Sequence, residues 1–231
     1  QGLFVLEGAR LVFDALNSSF EVETFLITEE ANSKYFESAA KMQALSRSSF
    51  FISNDIAQKL SETKNSQGVF AVCKMKEKSI NLQSGKKYIA LDNLQDPGNL
   101  GTVIRTSEAL GIDGVIVGGG CDVYNPKVLR ASMGSVLRAD VYESDNLAKT
   151  INEAKALGIK TYATSPDFNA KKITQVDFSS PSLCVIGNEA NGVSDEVFAV
   201  CDEKITIPML GRAESLNANV AAAITMWEML R

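Results

Sequence analysis

Apolar residues along this chain recur at two spacings, and wherever the spacing changes the chain passes through glycine, proline or asparagine. In the first third, Leu3-Phe-Val-Leu6, Glu23-Thr-Phe-Leu-Ile27 and Gly68-Val-Phe-Ala-Val-Cys73 read as strands. The segment around Arg10 to Leu16, and a second stretch between 27 and 68, read as helices. Strands interleaved with helices predict a small α/β unit, a mixed sheet covered by helices. The periodicity lapses in the polar, charged passage from Lys74 to Lys87. A linker over 77–87 therefore separates a unit over 1–76 from a second domain over 88–231.

The second domain repeats a strand-then-helix pattern. Candidate strands are Tyr88 to Leu91, Gly114 to Val117, Ile159 to Ala163, Leu183 to Ile186 and Ile205 to Ile207, and candidate helices are Gly101 to Leu110, Asn146 to Leu157, Ser194 to Val200 and Leu216 to Leu230. Ser194 followed by Asp195 and Glu196 is a helix start, a cap with acids in the first turn. In the last helix Leu216, Val220, Ala223, Ile224, Trp227 and Leu230 fall on one face. The alternation predicts a parallel sheet with helices on both faces, in which ligands lie at the carboxyl ends of the strands.

Three polar loops occupy that end, one within Leu91 to Gly111, one within Val185 to Glu196, and one around Gly211 to Glu214. Each runs from an apolar strand into a Gly/Asn-rich loop and on into a helix, which suggests one shared site. Taken singly, the residues have plainer readings. Ser215 and Asn217 could be helix caps, Arg105 a solvated helix arginine, Glu189 an exposed loop acid, and Lys127 and Arg130 the wet side of an amphipathic helix. Gly98-Asn-Leu-Gly101 lacks the first glycine of a dinucleotide fingerprint, and Gly118-Gly-Gly120 is a turn signal.

Composition narrows the chemistry. The chain has 231 residues, 45% hydrophobic and 22% charged, as in a globular protein. No apolar run approaches the roughly 20 residues needed to span a membrane, and the N-terminus lacks a signal pattern, so a cytoplasmic protein is expected. The first strand starts close to Gln1, which leaves open an upstream extension of the natural chain. Histidine is absent, which removes Ser-His and Cys-His nucleophile schemes and most zinc chemistry. Cys73, Cys121, Cys184 and Cys201 are scattered, with neither a metal site nor a disulfide framework indicated. A net charge of −5 counts mildly against a nucleic-acid partner, yet no acid separates Lys127, Arg130 and Arg138, so a local basic patch is compatible with it.

The three loops resemble the ordered motifs of the SpoU/TrmH family of RNA ribose 2′-O-methyltransferases, a branch of the knotted SPOUT class. The likeness rests on Asn99 with Arg105, on Gly187-Asn188-Glu189 with Gly192, and on Ile207-Pro-Met-Leu-Gly211 with Ser215-Leu-Asn217. Phe4 to Gly8 and Leu60 to Ala71 resemble, more weakly, a small N-terminal substrate-binding domain of the same family. The resemblance implies a C-terminal trefoil knot formed from about Gly187 to the last helix, S-adenosylmethionine as cofactor, no metal, and RNA as substrate. Ribosomal RNA is favoured over transfer RNA. It also implies a homodimer packed through the last helix, with Met226, Trp227 and Met229 at the interface.

By the same resemblance Gly187, Ile207, Met209, Leu216 and Thr164 form the cofactor site. Gly187 and Gly211 would let backbone approach the ligand. Arg105, Asn99, Glu189, Ser215 and Asn217 form the catalytic set, and Lys127, Arg130 and Arg138 contact substrate. If its helix begins near Leu100, Asn99 and Arg105 reach one pocket, and Glu189 orients one or the other. A guanidinium is effectively always protonated, so Arg105 is better suited to clamping phosphate and stabilising an alkoxide, with a base role left open. Ala218 and Asn219 stand where Val and Ser are usual, a departure at the helix start. Two other readings remain: an RNA-binding protein without catalysis, and a nicotinamide-dependent oxidoreductase.

Overall fold

The two blocks of apolar periodicity build two separate sheets. The computed structural model describes residues 2–76 and 80–231, and the chain divides into two units, 1–77 and 78–231. The expected linker over 77–87 begins on residues 77–79, which lie outside the described residues.

The first unit runs β1 (Leu3–Glu7), α1 (Ala9–Asp14), β2 (Val22–Ile27), α2 (Glu29–Lys34), α3 (Phe36–Leu45), β3 (Ser48–Phe51), α4 (Asn54–Leu60) and β4 (Val69–Lys74). Its four strands lie in the order β1-β4-β2-β3, with β4 antiparallel to β1 and β2, and β3 parallel to β2. On β1, Phe4 and Leu6 are buried while Leu3 and Val5 are exposed, the period of two that marks a half-buried strand. β3 escapes that pattern because none of its residues is buried. It is an edge strand held by backbone pairing to β2, so its sequence carries no alternation to read.

The second unit runs β5 (Lys87–Asp92), α5 (Pro97–Leu110), β6 (Gly114–Gly118), α6 (Pro126–Ala131), β7 (Val141–Glu143), α7 (Leu147–Ala156), β8 (Lys160–Thr164), β9 (Lys171–Lys172), β10 (Ser182–Ile186), α8 (Asp195–Val200), β11 (Glu203–Thr206) and α9 (Ala218–Leu230). The strand order is β7-β6-β5-β10-β8-β11-β9, and every pairing is parallel. The expected strands are all present. β7 and β9 were not expected, being too short for a hydrophobic period to develop. Tyr88 to Leu91 on β5 and Leu183 to Ile186 on β10 are buried throughout, as befits central strands of a sheet covered on both faces. From β5 the chain moves outward through β6 and β7, then returns beyond β10 to β8. The order therefore reverses between β5 and β10, and the loops leaving these strands lie side by side at the switch point.

Two helix boundaries differ from the sequence reading. α5 starts at Pro97, ahead of Gly101, because the Asp96 carboxylate accepts from the Asn99 N–H at 2.8 Å and Pro97 fits the first helical position. α9 starts at Ala218, after Leu216, with Asn217 Oδ1 accepting from the Asn219 N–H at 2.9 Å.

A larger correction concerns Met226 and Met229 on α9, which are buried. Ala218, Ala222, Thr225, Met226 and Met229 face the core, while Val220, Trp227 and Leu230 are 43%, 61% and 40% exposed. α9 is apolar almost all round, so periodicity alone could not choose between its stripes. The stripe of small residues and flexible methionines packs against α5, β5 and β10. Met226 and Met229, expected beside Trp227 at a subunit interface, are fully buried within the unit.

α5 and α6 pack closely enough that a Cβ on Gly101 would lie 2.6 Å from both the Ala131 methyl and the Val128 carbonyl oxygen. A Gly101→Ala change overpacks this contact and should cost about 1–3 kcal/mol. At roughly 2–4 °C per kcal/mol for a chain of this size, scanning calorimetry should register a lower melting temperature. An unchanged transition would contradict this packing.

Candidate functional site

Strands β5, β8, β10 and β11 all end on one side of the sheet, and the residues after them make the site. The loop after β10 folds tightly upon itself: Asn188 and Gly192 exchange both backbone hydrogen bonds at 2.9 Å. The Asn188 Oδ1 accepts from the N–H groups of Ala190 at 2.9 Å and Asn191 at 3.1 Å. A Cβ on Gly187 would sit 2.1 Å from the Gly192 carbonyl carbon and 2.2 Å from the Val193 nitrogen, so no side chain is possible there. The close approach that demands this glycine is thus made by its own loop. A Cβ on Gly211 would meet nothing within 4 Å.

Side chains from this loop reach across to the β5–α5 loop. Glu189 Oε1 accepts from the Asn99 side-chain amide at 2.9 Å and from the Asp96 N–H at 3.1 Å, and Oε2 accepts from the Gln95 N–H at 3.2 Å. Asn188 donates through Nδ2 to the Asn93 carbonyl at 2.7 Å. Asn99 in turn accepts, through Oδ1, from the Asn219 side chain at 3.0 Å. Glu189, Asn99 and Asn219 thereby form a continuous bridge joining the three loop-and-helix segments. Partial burial works against ionisation of Glu189, but the Asn99 amide and the Gln95 and Asp96 N–H groups outweigh it and hold the carboxyl below its ordinary value.

A cavity of about 310 Å³ opens beside this bridge. All five expected cofactor residues, Thr164, Gly187, Ile207, Met209 and Leu216, line it, together with Ser215 and Glu189 from the expected catalytic set. Ile186, Phe198 and Ala221 complete its apolar wall and were not anticipated. They lie inside buried strands or helices, where an apolar residue signals core before it signals ligand. The apolar wall suits the flat face of an adenine ring, and the polar backbone of 187–193 suits its edge and ribose. The volume is at the small end of the range for small-molecule sites.

Asn99 and Arg105 do not share this lining. They are six residues apart, about 240° round the helix. Asn99 is buried in the bridge, while Arg105 is exposed with no hydrogen bond or ion pair among the described residues. Glu189 therefore orients Asn99 and not Arg105. Asn217 lies outside the lining too, as the cap of α9. Asn219, noted in the sequence only as a departure, is the residue that carries the bridge onto α9.

Of the expected substrate cations, Lys127 is exposed at the start of α6 and Arg130 is half-buried on the same helix. Arg138 is committed to structure: its Nε lies 3.2 Å from Glu108 Oε1, tying the turn after α6 to the end of α5 and lowering the Glu108 pKa. The cysteines are free, and burial pushes the Cys184 thiol up. No helix among the described residues is long and apolar enough to cross a membrane.

This architecture has close counterparts. A model of the SpoU rRNA Methylase family matches residues 86–227, and one of an MRM3-like substrate binding domain matches residues 1–71. The 23S rRNA (guanosine(2553)-2′-O)-methyltransferase RlmP of Bacillus subtilis is 35% identical over 228 residues, covering 98% of this chain and 88% of that protein. Among solved structures, the SpoU methyltransferase AviRb of Streptomyces viridochromogenes in complex with AdoMet superposes with a TM-score of 0.88 at 29% identity, covering 99% of this chain and 89% of that one. An AdoMet-bound rRNA methyltransferase of Sinorhizobium meliloti gives 0.86 at 30% identity, with 99% and 87% covered.

Because the folded pKa of Glu189 is depressed, its contribution to stability is present above the ordinary carboxylate value and is lost as pH falls through the folded one. Urea unfolding should find Glu189→Gln less stable than the parent near neutral pH, with the gap closing in acid. A gap independent of pH would show that the charge of Glu189 is not what holds the loops.

Proposed function

The chain belongs to the SpoU rRNA methylase family, and on that premise we propose that it uses S-adenosylmethionine to methylate a ribose 2′-hydroxyl of RNA, ribosomal RNA in preference to transfer RNA. The observation that carries this reading is the bridge Glu189–Asn99–Asn219 beside a cavity lined by Thr164, Gly187, Ile207, Met209 and Leu216. RlmP, a 2′-O-methyltransferase of 23S rRNA by name and similar over almost the whole of this chain, supports the choice of ribosomal RNA. Nothing in the comparisons favours an RNA-binding protein without catalysis.

In this reading the walls formed by Ile207, Met209 and Leu216 hold the adenine, and the backbone after Gly187 meets the polar parts of the cofactor. When bound, S-adenosylmethionine supplies an electrophilic methyl group on a sulfonium. The chain must bring a ribose oxygen to that methyl in line and help it to shed its proton. Glu189 and Asn99 fix the loops that shape the cavity, Ser215 borders the ribose side, and Asn217 sets the start of α9. Arg105 binds a substrate phosphate and stabilises the alkoxide as it forms. Its standing charge favours that role, and its side chain, exposed and without a partner among the described residues, is available for it. Lys127 and Arg130 add phosphate contacts, and the first unit adds a further RNA-binding surface.

The same reading includes a homodimer, a trefoil knot and a cytoplasmic location. Val220, Trp227 and Leu230 offer an exposed apolar face, on a helix packed against the one that carries Arg105. Support for the knot comes from the path of the chain: β10 is inserted between β5 and β8, β11 follows between β8 and β9, and α9 then returns to β5 and β10.

Two outcomes are expected. Arg105→Ala should bind S-adenosylhomocysteine with nearly the parent affinity by calorimetry yet lose transfer of tritiated methyl groups to bulk RNA; retained turnover would end the assignment. Trp227→Asp should sediment as a monomer where the parent is a dimer, and an unchanged dimer would place the interface elsewhere.

A further inference from the structure

The two segments of the first unit singled out in the sequence, Phe4 to Gly8 and Leu60 to Ala71, are tied together in space. Glu7 Oε1 accepts from the hydroxyls of Ser61 and Thr63, the latter at 3.0 Å, and its Oε2 accepts from the Glu62 N–H at 3.1 Å. The Gln58 amide donates to the Lys64 carbonyl at 3.2 Å. Gln67 closes the loop by accepting, through Oε1, from the Ala9 N–H at 2.8 Å. A polar surface loop fixed at so many points is a pre-arranged surface, where an idle connection would leave these groups to water. Holding Oε1 in place also fixes the Gln67 Nε2, a donor with no partner among the described residues.

Gln67 lines an open cavity of about 800 Å³ inside the first unit, shared with Arg10, Phe13, Asp14, Tyr35 and Lys41. Phe13 and Tyr35 stand edge to face with ring centres 5.7 Å apart, and Lys34 Nζ lies 5.2 Å from the centre of the Tyr35 ring. The lining has two cations against one acid. Neither Arg10 nor Lys41 has a hydrogen bond or ion pair among the described residues. Elsewhere in the unit Arg47 and Lys74 are committed to Glu21 and Glu23. The cations at this cavity are therefore left available, in a unit that pairs others.

We propose that this cavity takes an unstacked nucleotide of the RNA substrate. Arg10 and Lys41 meet its phosphates, the Tyr35 ring receives the face of its base, and Gln67 Nε2 donates to the base edge. The combination of available cations, an aromatic ring and a fixed amide donor is the chemistry by which single-stranded RNA is held. A peptide with acidic groups would use the cations but would leave the ring and the amide without a role. The inference rests on the RNA methyltransferase reading and gives the first unit a defined role within it.

The test is filter binding of the full chain to protein-free bulk ribosomal RNA at several salt concentrations. The Arg10→Ala, Lys41→Ala double variant should bind roughly tenfold or more weakly, and its salt slope should be shallower by about 1.4, about 0.7 for each phosphate that is no longer neutralised. Gln67→Glu keeps the acceptor for the Ala9 N–H but replaces the donor with a negative charge. It should weaken RNA binding while the melting temperature stays at the parent value. Affinity for S-adenosylhomocysteine, read by calorimetry, should be the same in all three proteins. Parent-like affinity and slope in the double variant overturn the proposal. If that variant melts early, parent-like RNA affinity in Gln67→Glu overturns it instead. Failure of the methyltransferase reading looks different: the parent protein itself would transfer no methyl group to this RNA.

Discussion

The site depends on one carboxylate receiving donors from a loop about ninety residues away in the chain. Parallel pairing of β5 with β10 makes their following loops neighbours, but neighbouring loops still have wide freedom. Glu189 removes that freedom by binding two backbone N–H groups and the Asn99 amide at once. Hydrogen bonds to a charged group are worth about 1.5–3 kcal/mol each when water is excluded; Glu189 is exposed, so each contributes less, and it is their convergence on one carboxylate that favours a single loop arrangement. Asn99 then passes the constraint to Asn219 and so to α9, whose preceding loop supplies Ile207, Met209 and Leu216 to the cavity. Gly187 permits all of this by letting its loop close upon its own backbone.

Charge is organised by the same economy. The chain is acidic overall, at −5, and many of its cations are bound internally: Arg47, Lys74, Lys86, Arg138, Lys155, Lys160 and Lys171 all face acids. Such exposed pairs add little to stability. Their consequence for function is that they remove those cations from competition for phosphate. Among the described residues, Arg105 and Lys127, and Arg10 and Lys41 in the first unit, have no ion pair. For an acidic protein that handles RNA, which cations are left unpaired matters more than the total.

The sequence was most legible where local chemistry sets structure. Continuous apolar runs marked β5, β6, β8, β10 and β11, and turn residues marked the loops at their ends. It was least legible where long-range packing decides. β3, β7 and β9 are short or exposed and exist through pairing to a neighbour. α9 is apolar on several faces, so its buried stripe of Ala222, Met226 and Met229 was fixed by α5 and the sheet, and the sequence reading had placed Met226 and Met229 on the exposed side with Trp227. The motifs brought out Thr164, Gly187, Ile207, Met209 and Leu216, which line one cavity. Arg138 looked like a substrate contact because Glu108, its partner, lies thirty residues earlier. The role of Asn219 was hidden because a bond to Asn99 spans 120 positions and leaves no local trace.

In the proposed function, this bridge assembles a centre for methylating ribose. It is tested most directly by mapping 2′-O-methylation across total RNA from host cells lacking the protein, complemented with either the parent chain or Glu189→Ala. A ribose methyl group should be missing without the protein, return with the parent chain and fail to return with Glu189→Ala. A methylation map that never depends on the protein, or one restored in full by Glu189→Ala, would contradict it.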